Sequence, residues 1–266
     1  MADKNFSIIN IDKPAGMTSF DVVEHVAKLV GVKKASHFGT LDPAVTGVLP
    51  IALGRAVKLT GYFIGHYKQY IGILHIHKDI SIKEIQTIIN KKFTGKIIQK
   101  PPVKSRVKRQ EREREVRKWQ LLEKQNRDIL FIADVQGGTY IRKLCSDLGE
   151  KIGGAHMLEL RRIKAGIFNI EQSITLYELD NLVKDKQLQD ELISGEEAIK
   201  KILPEKQFKA GKKRLKQLLT GKPIEKKDIS GKVPDKFALF SGNKLIEIAK
   251  RVNEKDIIAR PEFVYN

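Results

Sequence analysis

The sequence predicts an α+β protein of two domains, and three observations carry that expectation. Period-two and helical apolar patterns alternate along the first two thirds without a strict repeat. The composition then turns charged and helical after Leu176. The last stretch reads as two strands around a hairpin turn. At 266 residues and 41% apolar content the chain can bury a real core. The domain boundary is expected between residues 185 and 205, giving a first domain over 1–195 and a second over 205–266.

Phe6 to Ile11 reads as a short strand that stops where Lys13-Pro14-Ala15-Gly16 forces a turn. A helix follows, with Asp21 and Glu24 spaced as a capping box, an apolar stripe at Val22, Val23, Val26, Leu29 and Val30, and Gly31 as the stop. Ala35 to Gly47 reads as loop. Tyr67 to His75 is a strand and Ser81 to Lys91 a helix, with Ile82, Ile85, Ile88 and Ile89 on its apolar side. Between Lys96 and Lys118, ten Lys or Arg against three Glu surround Pro101-Pro102, so basic side chains are expected on a loop and a following strand. Ile129 to Val135 is the next strand and Gly137-Gly138 a turn. Tyr140 to Lys151 is a helix with Ile141, Leu144, Cys145 and Leu148 inward and Gly153-Gly154 as its end. Asp180 to Lys206 has helical spacing, and Lys209 to Leu219 is a basic helix ended by Gly221. Strands at Ala238-Leu239-Phe240 and Leu245 to Ala249 flank a turn at Ser241 to Lys244.

Fifty Lys and Arg against 32 Asp and Glu leave a formal charge of +18, a field that attracts polyanions, so nucleic acid leads the partner classes. No helix-turn-helix or zinc-finger signature points to DNA. The single cysteine, Cys145, has no partner for an internal disulfide, which suits a reducing cytoplasm. The most apolar region, Val45 to Val57, is broken by Gly47, Pro50, Gly54 and Arg55, so no membrane span is expected.

The segment His37-Phe38-Gly39-Thr40-Leu41-Asp42-Pro43-Ala44-Val45-Thr46-Gly47-Val48-Leu49-Pro50 is the most informative. Two prolines and two glycines fix an unusual backbone path around one carboxylate with mostly apolar neighbours. A lone Asp before Pro is more often a helix cap, and two further segments weigh against that reading. Arg142, in Gly138-Thr139-Tyr140-Ile141-Arg142, stands at a strand-to-helix junction where it could hold a buried carboxylate ionised. Tyr70, in Lys68-Gln69-Tyr70, offers a ring on which an extruded base could stack. Taken singly, Tyr70 and Tyr140 are more often core residues. His156 reads first as a packed, hydrogen-bonded residue, whereas Arg161 and Arg162 divide between structure and phosphate contact.

In this order the segments resemble the TruB and dyskerin family of pseudouridine synthases, from about Ile8 to Leu179. Asp12-Lys13-Pro14-Ala15-Gly16-Met17-Thr18-Ser19 looks like the family's opening motif, and His37 through Leu49 like its catalytic loop. Lys68-Gln69-Tyr70, Gly138 through Arg142 and Gly154 through Arg162 match three further segments. The resemblance implies a mixed, mainly antiparallel sheet flanked by helices, carrying an RNA pseudouridine synthase that needs no metal or other cofactor. It makes Asp42 the essential carboxylate, Tyr70 the ring stacked on the target uracil and Arg142 the ionic partner of Asp42. His37 would help extrude the base and Leu160 would form part of the apolar pocket wall. Lys13, Gly39, Thr40, Tyr140 and Arg161 complete the expected RNA-contacting set.

Ile97 through Arg109 and His75-Ile76-His77-Lys78-Asp79 look closer to the archaeal and eukaryotic dyskerin-like branch than to bacterial TruB. That branch works inside the H/ACA ribonucleoprotein with a guide RNA and small partner proteins, and some archaeal members modify the T-loop uridine of tRNA without a guide. Leu218 to Ile224 and Phe237 to Val252 resemble fragments of a PUA RNA-binding domain. A reduced, β-rich PUA-like domain is therefore expected at the C-terminal end.

Overall fold

The computed structural model describes residues 3–101, 108 and 110–266, and the chain divides into compact units over 1–192 and 193–266. Pro102 to Val107 and Arg109, part of the basic segment and of the dyskerin-like stretch, lie outside the described residues.

The first unit is built on one large sheet. Its strands are β1 (Phe6–Lys13), β2 (Ala35–His37), β3 (Thr46–Gly54), β4 (Lys68–Ile76), β5 (Gly95–Gln99), β6 (Arg112–Gln125), β7 (Asp128–Val135), β8 (Ala155–Ala165) and β9 (Phe168–Asn169). The order runs β1-β3-β8-β4-β7-β6-β5, with β2 on β3 and β9 on β8. Among the described strands of this unit β3 and β8 pair in parallel and the other strand pairs are antiparallel, so the sheet is mixed and mainly antiparallel, as expected.

Burial alternates strictly along β4 and β7, which makes one face of the sheet the core face. Helices α1 (Ser19–Val30), α3 (Ile82–Lys92), α4 (Ile141–Ile152) and α5 (Leu176–Lys184) supply the matching apolar stripes: Val22, Val26, Ile85, Ile89, Leu144, Leu148 and Leu179 pack in one cluster with Ile11, Leu49, Leu74 and Phe131. Helix α2 (Thr60–Phe63) is a single short turn.

Several boundaries depart from the sequence reading. Helix α1 is capped by Thr18, whose hydroxyl accepts from the Asp21 amide while the Asp21 carboxylate accepts from the Thr18 amide. The box is thus Thr18/Asp21, one turn earlier than Asp21/Glu24. Ala35 to His37, read as loop, forms β2. The proline-interrupted apolar run becomes the interior strand β3. Pro50 fits there because its carbonyl accepts from the Phe38 amide at 3.0 Å, just past the end of β2 at His37, so its missing N–H faces the side where β2 has stopped. Asp180 to Lys206 is not one helix. After α5 it breaks into short pieces, with β10 (Ile193–Ser194), α6 (Gly195–Lys200) and β11 (Glu205–Gln207) in the second unit.

The second unit continues with α7 (Lys212–Leu218), β12 (Ile224–Glu225), β13 (Lys236–Ser241), β14 (Lys244–Arg251) and β15 (Ile257–Val264). Its sheet runs β11-β13-β14-β15-β12. The expected hairpin is present, with β13 and β14 pairing antiparallel from Lys236↔Lys250 to Ser241↔Lys244. Leu218, Ile224, Phe237, Leu239, Ile246 and Ala259 form its core.

Candidate active site

The loop between β2 and β3 carries Asp42, and its backbone is clamped at every turn. Ser19, at the start of α1, donates its hydroxyl to the Leu41 carbonyl (2.9 Å) and accepts from the Leu41 amide (2.8 Å). Lys13 is fully buried and its ammonium donates to the carbonyls of Pro14, Met17 and Pro43 at 2.6, 2.7 and 3.0 Å. The Gly16 amide also donates to Pro43, and the Val45 amide closes a turn on the Asp42 carbonyl. From β8, Arg162 is 1% exposed and donates to the carbonyls of Gly39 (2.9 Å) and Val48 (2.7 Å). Gly47 must lack a side chain, because a Cβ there would strike the Arg162 backbone across the parallel pairing. Phe38 anchors the loop's other end, its ring stacked on Phe63 at 4.6 Å and beside Phe168.

This scaffold leaves the Asp42 carboxylate pointing outward. Arg142, in the first turn of α4, donates to it and forms an ion pair. The two side chains are 49% and 51% exposed, so the expectation of a buried carboxylate is corrected. The backbone anchors of the loop are buried, and the Asp42 charge itself is open to solvent.

Tyr70 lies on the core face of β4, 6% exposed, with Lys68 and Gly72 on the same side. It is paired across β8 with Arg162, and the Lys68 side chain reaches the edge of Gly39, so this part of β4 abuts the Asp42 loop. Leu160 is buried in the same cluster as Tyr70, opposite Gly72. A Cβ on Gly72 would sit 2.6 Å from Phe131 and 2.9 Å from Leu160, so the glycine lets both side chains close over β4. Burial pushes the Lys68 ammonium down to about 8, and the nearby Arg162 charge acts in the same direction.

The remaining expected residues sort by burial. His37 ends β2 with Nδ1 accepting from the Gly39 amide (3.3 Å). Burial lowers its pKa, with Arg162 adding to the effect, so the neutral ring carries its proton on Nε2. Gly39 is held through its carbonyl by Arg162 and Thr40 is exposed at the loop surface. Tyr140 caps α4, its amide and carbonyl gripped by the buried Gln99 side chain at 2.8 and 3.1 Å.

Lys13 is a correction: its ammonium is consumed by three backbone carbonyls inside the protein, so it organises the loop and does not reach RNA. Arg162 is likewise a buried clamp, which decides its two sequence readings for structure. Arg161 points the other way and pairs with Asp12 at 2.5 Å. His156 is exposed, not packed in a turn, and shares a 2.9 Å hydrogen bond with His77. Gly72 was missed in the sequence, and Ser19 and Gln99, which stand inside quoted motifs, were given no role there, since nothing local distinguishes a clamping serine or glutamine from any other.

Two family models match the chain: TruB family pseudouridylate synthase (N terminal domain) over residues 27–141, and tRNA pseudouridylate synthase B C-terminal domain over 142–203. Curated relatives include the probable tRNA pseudouridine synthase B of Methanopyrus kandleri, 47% identical over 173 residues, covering 65% of this chain and 51% of that protein. The protein of the same description from Nanoarchaeum equitans is 49% identical over 175 residues, covering 65% and 50%. The chain thus spans about half the length of the curated relatives it matches. Among solved structures, a Cbf5-Nop10-Gar1 complex contains a chain with TM-score 0.86 and 34% identity, covering 98% of this chain and 85% of that one. An H/ACA RNP bound to a substrate RNA containing 2'-deoxyuridine gives 0.85 and 31%, covering 99% and 86%. With those matches in sequence and in fold, the chain belongs to the TruB and dyskerin family of pseudouridine synthases.

Proposed function

We propose that this protein isomerises a uridine in structured RNA to pseudouridine, with Asp42 as its catalytic carboxylate. One observation carries the reading: a carboxylate presented to solvent on a loop clamped by Ser19, Lys13 and Arg162, and paired with Arg142 from the opposite side. Fixed donors and a fixed carboxylate need no reorganisation when charge develops on the sugar. In the reaction the N1–C1′ bond breaks, the uracil turns while held, C5 joins C1′, C5 loses its proton and N1 regains one. Asp42 acts as a carboxylate, either adding to the sugar carbon or removing a sugar proton, and Arg142 is its ion-pair partner. Tyr70 supports the turned base with its ring, His37 and Thr40 guide extrusion, and Leu160 lines the apolar wall. Gly39, Tyr140 and Arg161 border the path of the RNA.

The descriptions of similar proteins name two settings, a tRNA pseudouridine synthase and an H/ACA RNP. Here a guide-independent tRNA route and a guide-directed rRNA route share the same site. In the guided route small H/ACA proteins are the partners and the second unit acts as a reduced PUA-like RNA-binding domain. The reducing cytoplasm is the compartment that fits a buried, free Cys145.

The test is direct. Purified protein alone, incubated with unmodified tRNA transcript, should yield pseudouridine, and the Asp42→Asn variant should yield none while binding the same RNA with near-normal affinity. Product from wild type only after guide RNA and partner proteins are added selects the guided route. Near-normal turnover by Asp42→Asn overturns the assignment.

A further inference from the structure

Ser19, Lys13 and Arg162 hold the Asp42 side of the ion pair, and the Arg142 side is held by different means. Of the four longer helices described in the first unit, α1, α3 and α5 each begin on a Thr or Ser that forms a reciprocal box with the third helical residue: Thr18/Asp21, Ser81/Glu84 and Thr175/Glu178. Helix α4 does not. Its cap is Tyr140, which makes no side-chain cap hydrogen bond, and its first turn carries no acidic residue. Arg142 is the second residue of this helix. The helix that carries the partner of Asp42 is therefore the one whose own residues fix its start least.

The sheet supplies what the helix lacks. Gln99, the last residue of β5, is 3% exposed, and its side-chain amide bonds Tyr140 twice. Oε1 accepts from the Tyr140 amide at 2.8 Å, and Nε2 donates to the Tyr140 carbonyl at 3.1 Å. The first bond fixes the peptide group before Tyr140 and the second the one after it. The turn leading into Tyr140 is bolted as well. The Gln136 amide donates to the Glu115 carbonyl at 2.8 Å, and the Gln136 side chain accepts from the Glu115 amide at 3.2 Å. Gly137 lies so close to the preceding turn that a Cβ there would stand 2.6 Å from the Ile64 carbonyl oxygen.

Packing and hydrogen bonding do different work at this junction. Ile141, Leu144, Cys145 and Leu148 bury one face of α4; apolar contact is non-directional, so it chooses the inward face and tolerates small slides. Bonds to two successive peptide groups are directional and remove that freedom at the end that bears Arg142. The Arg142 side chain is half exposed, so the fold steers it chiefly through its backbone. We infer that Gln99 is a positioning residue: by holding both peptide groups of Tyr140 it sets where the Arg142 guanidinium meets Asp42. The inference rests on the catalytic reading above and adds to it a residue too buried to meet RNA.

A double-mutant cycle on the full-length protein tests this, because two residues that act through one contact are not additive. Gln99→Leu removes both bonds at similar volume, and Gln99→Glu keeps an acceptor for the Tyr140 amide but loses the donor to its carbonyl. Either should lower the single-turnover rate at saturating RNA about ten- to a hundredfold, the scale of a misplacement of about 1 Å, with KM within about twofold of wild type. In the Arg142→Met background neither should cost anything further, since the group they displace is gone. Independently of turnover, the magnetic resonance signal of the Arg142 Nε–H should shift in both Gln99 variants. Thermal melting identifies the variants that fold, and where one does not, the other decides. Failure of both to fold makes Gln99 a folding residue and overturns the assignment. So does an unchanged rate, an equal loss in both backgrounds, or an unmoved Arg142 signal. Absence of pseudouridine from wild type, with tRNA transcript alone and with guide RNA and partner proteins added, while the Arg142 signal still responds to Gln99, overturns the catalytic reading alone.

Discussion

In the proposed reaction the Asp42–Arg142 pair matters for chemistry and contributes little to folding. Both side chains are about half exposed, so the attraction between them is screened by water, and exposed pairs are worth about 0.2–1 kcal/mol. Arg142→Met should therefore lower single-turnover rates by orders of magnitude while shifting the denaturant midpoint by less than about 1 kcal/mol of stability. A large stability loss without a rate loss would show the pair to be structural. Tyr70 is the opposite case, a ring largely inside the core. Tyr70→Phe keeps the stacking face and should slow only steps after base capture. Tyr70→Leu should weaken capture as well, by about 1–3 kcal/mol. A fluorescent base analogue reporting extrusion separates the two, and equal extrusion by wild type and Tyr70→Leu would remove the ring from the site.

At the scale of elements, the active loop depends on partners from three separate places: the β1–α1 turn, the first residue of α1, and β8. Ser19 satisfies both polar groups of Leu41 in a buried setting, and nothing else described bonds either of them. Ser19→Ala leaves an amide and a carbonyl unsatisfied, at a cost of about 1–3 kcal/mol for the buried group. Because the loop it releases holds Asp42, turnover should fall as well, with RNA affinity little changed. Measured together, unfolding free energy and single-turnover rate should drop in the Ser19→Ala protein and recover in Ser19→Thr where the hydroxyl is restored. Loss of stability with full activity would show that the loop keeps its path without this clamp.

Across the whole molecule the formal charge is +18, and the second unit contains one carboxyl group that burial keeps from adding to the negative side. Glu247, on β14, is fully buried and neither carboxyl oxygen has a hydrogen-bond partner. Arg214 is nearby but spends its donors on Asp228, Gln217 and the Pro223 carbonyl. Burial pushes the Glu247 pKa from its ordinary value of 4.5 up to about 8; Arg214 opposes this and Asp228 reinforces it. The folded state thus keeps a proton that the unfolded chain releases. The contribution is complete below about pH 4.5 and is lost as pH rises to about 8. Glu247→Gln, which mimics the protonated form, should remove this fall, so that hydrogen-exchange protection of β14 no longer declines between pH 5 and 8. A decline that persists in the variant would assign it to another group.

The sequence by itself determined the family, the partnership of Asp42 with Arg142, the alternation of strands and helices and the C-terminal hairpin. Each of these is local: a motif of contiguous residues, an apolar period, or a turn signal, and none needs knowledge of what lies across the fold. The interior strand β3 was hidden because Pro50 and two glycines break the local pattern, and only the neighbours β1 and β2 show why a proline is harmless there. Lys13 and Arg162 were legible as cations but not as clamps, since their burial and the Pro43, Val48 and Gly39 carbonyls they bond come from segments distant in sequence. The same holds for the openness of Asp42, which apolar neighbours in the chain suggested was buried. Charge type is written in the residue, whereas solvent exposure and hydrogen-bond partners depend on which distant backbone the fold brings alongside, and that is what the tertiary structure decided.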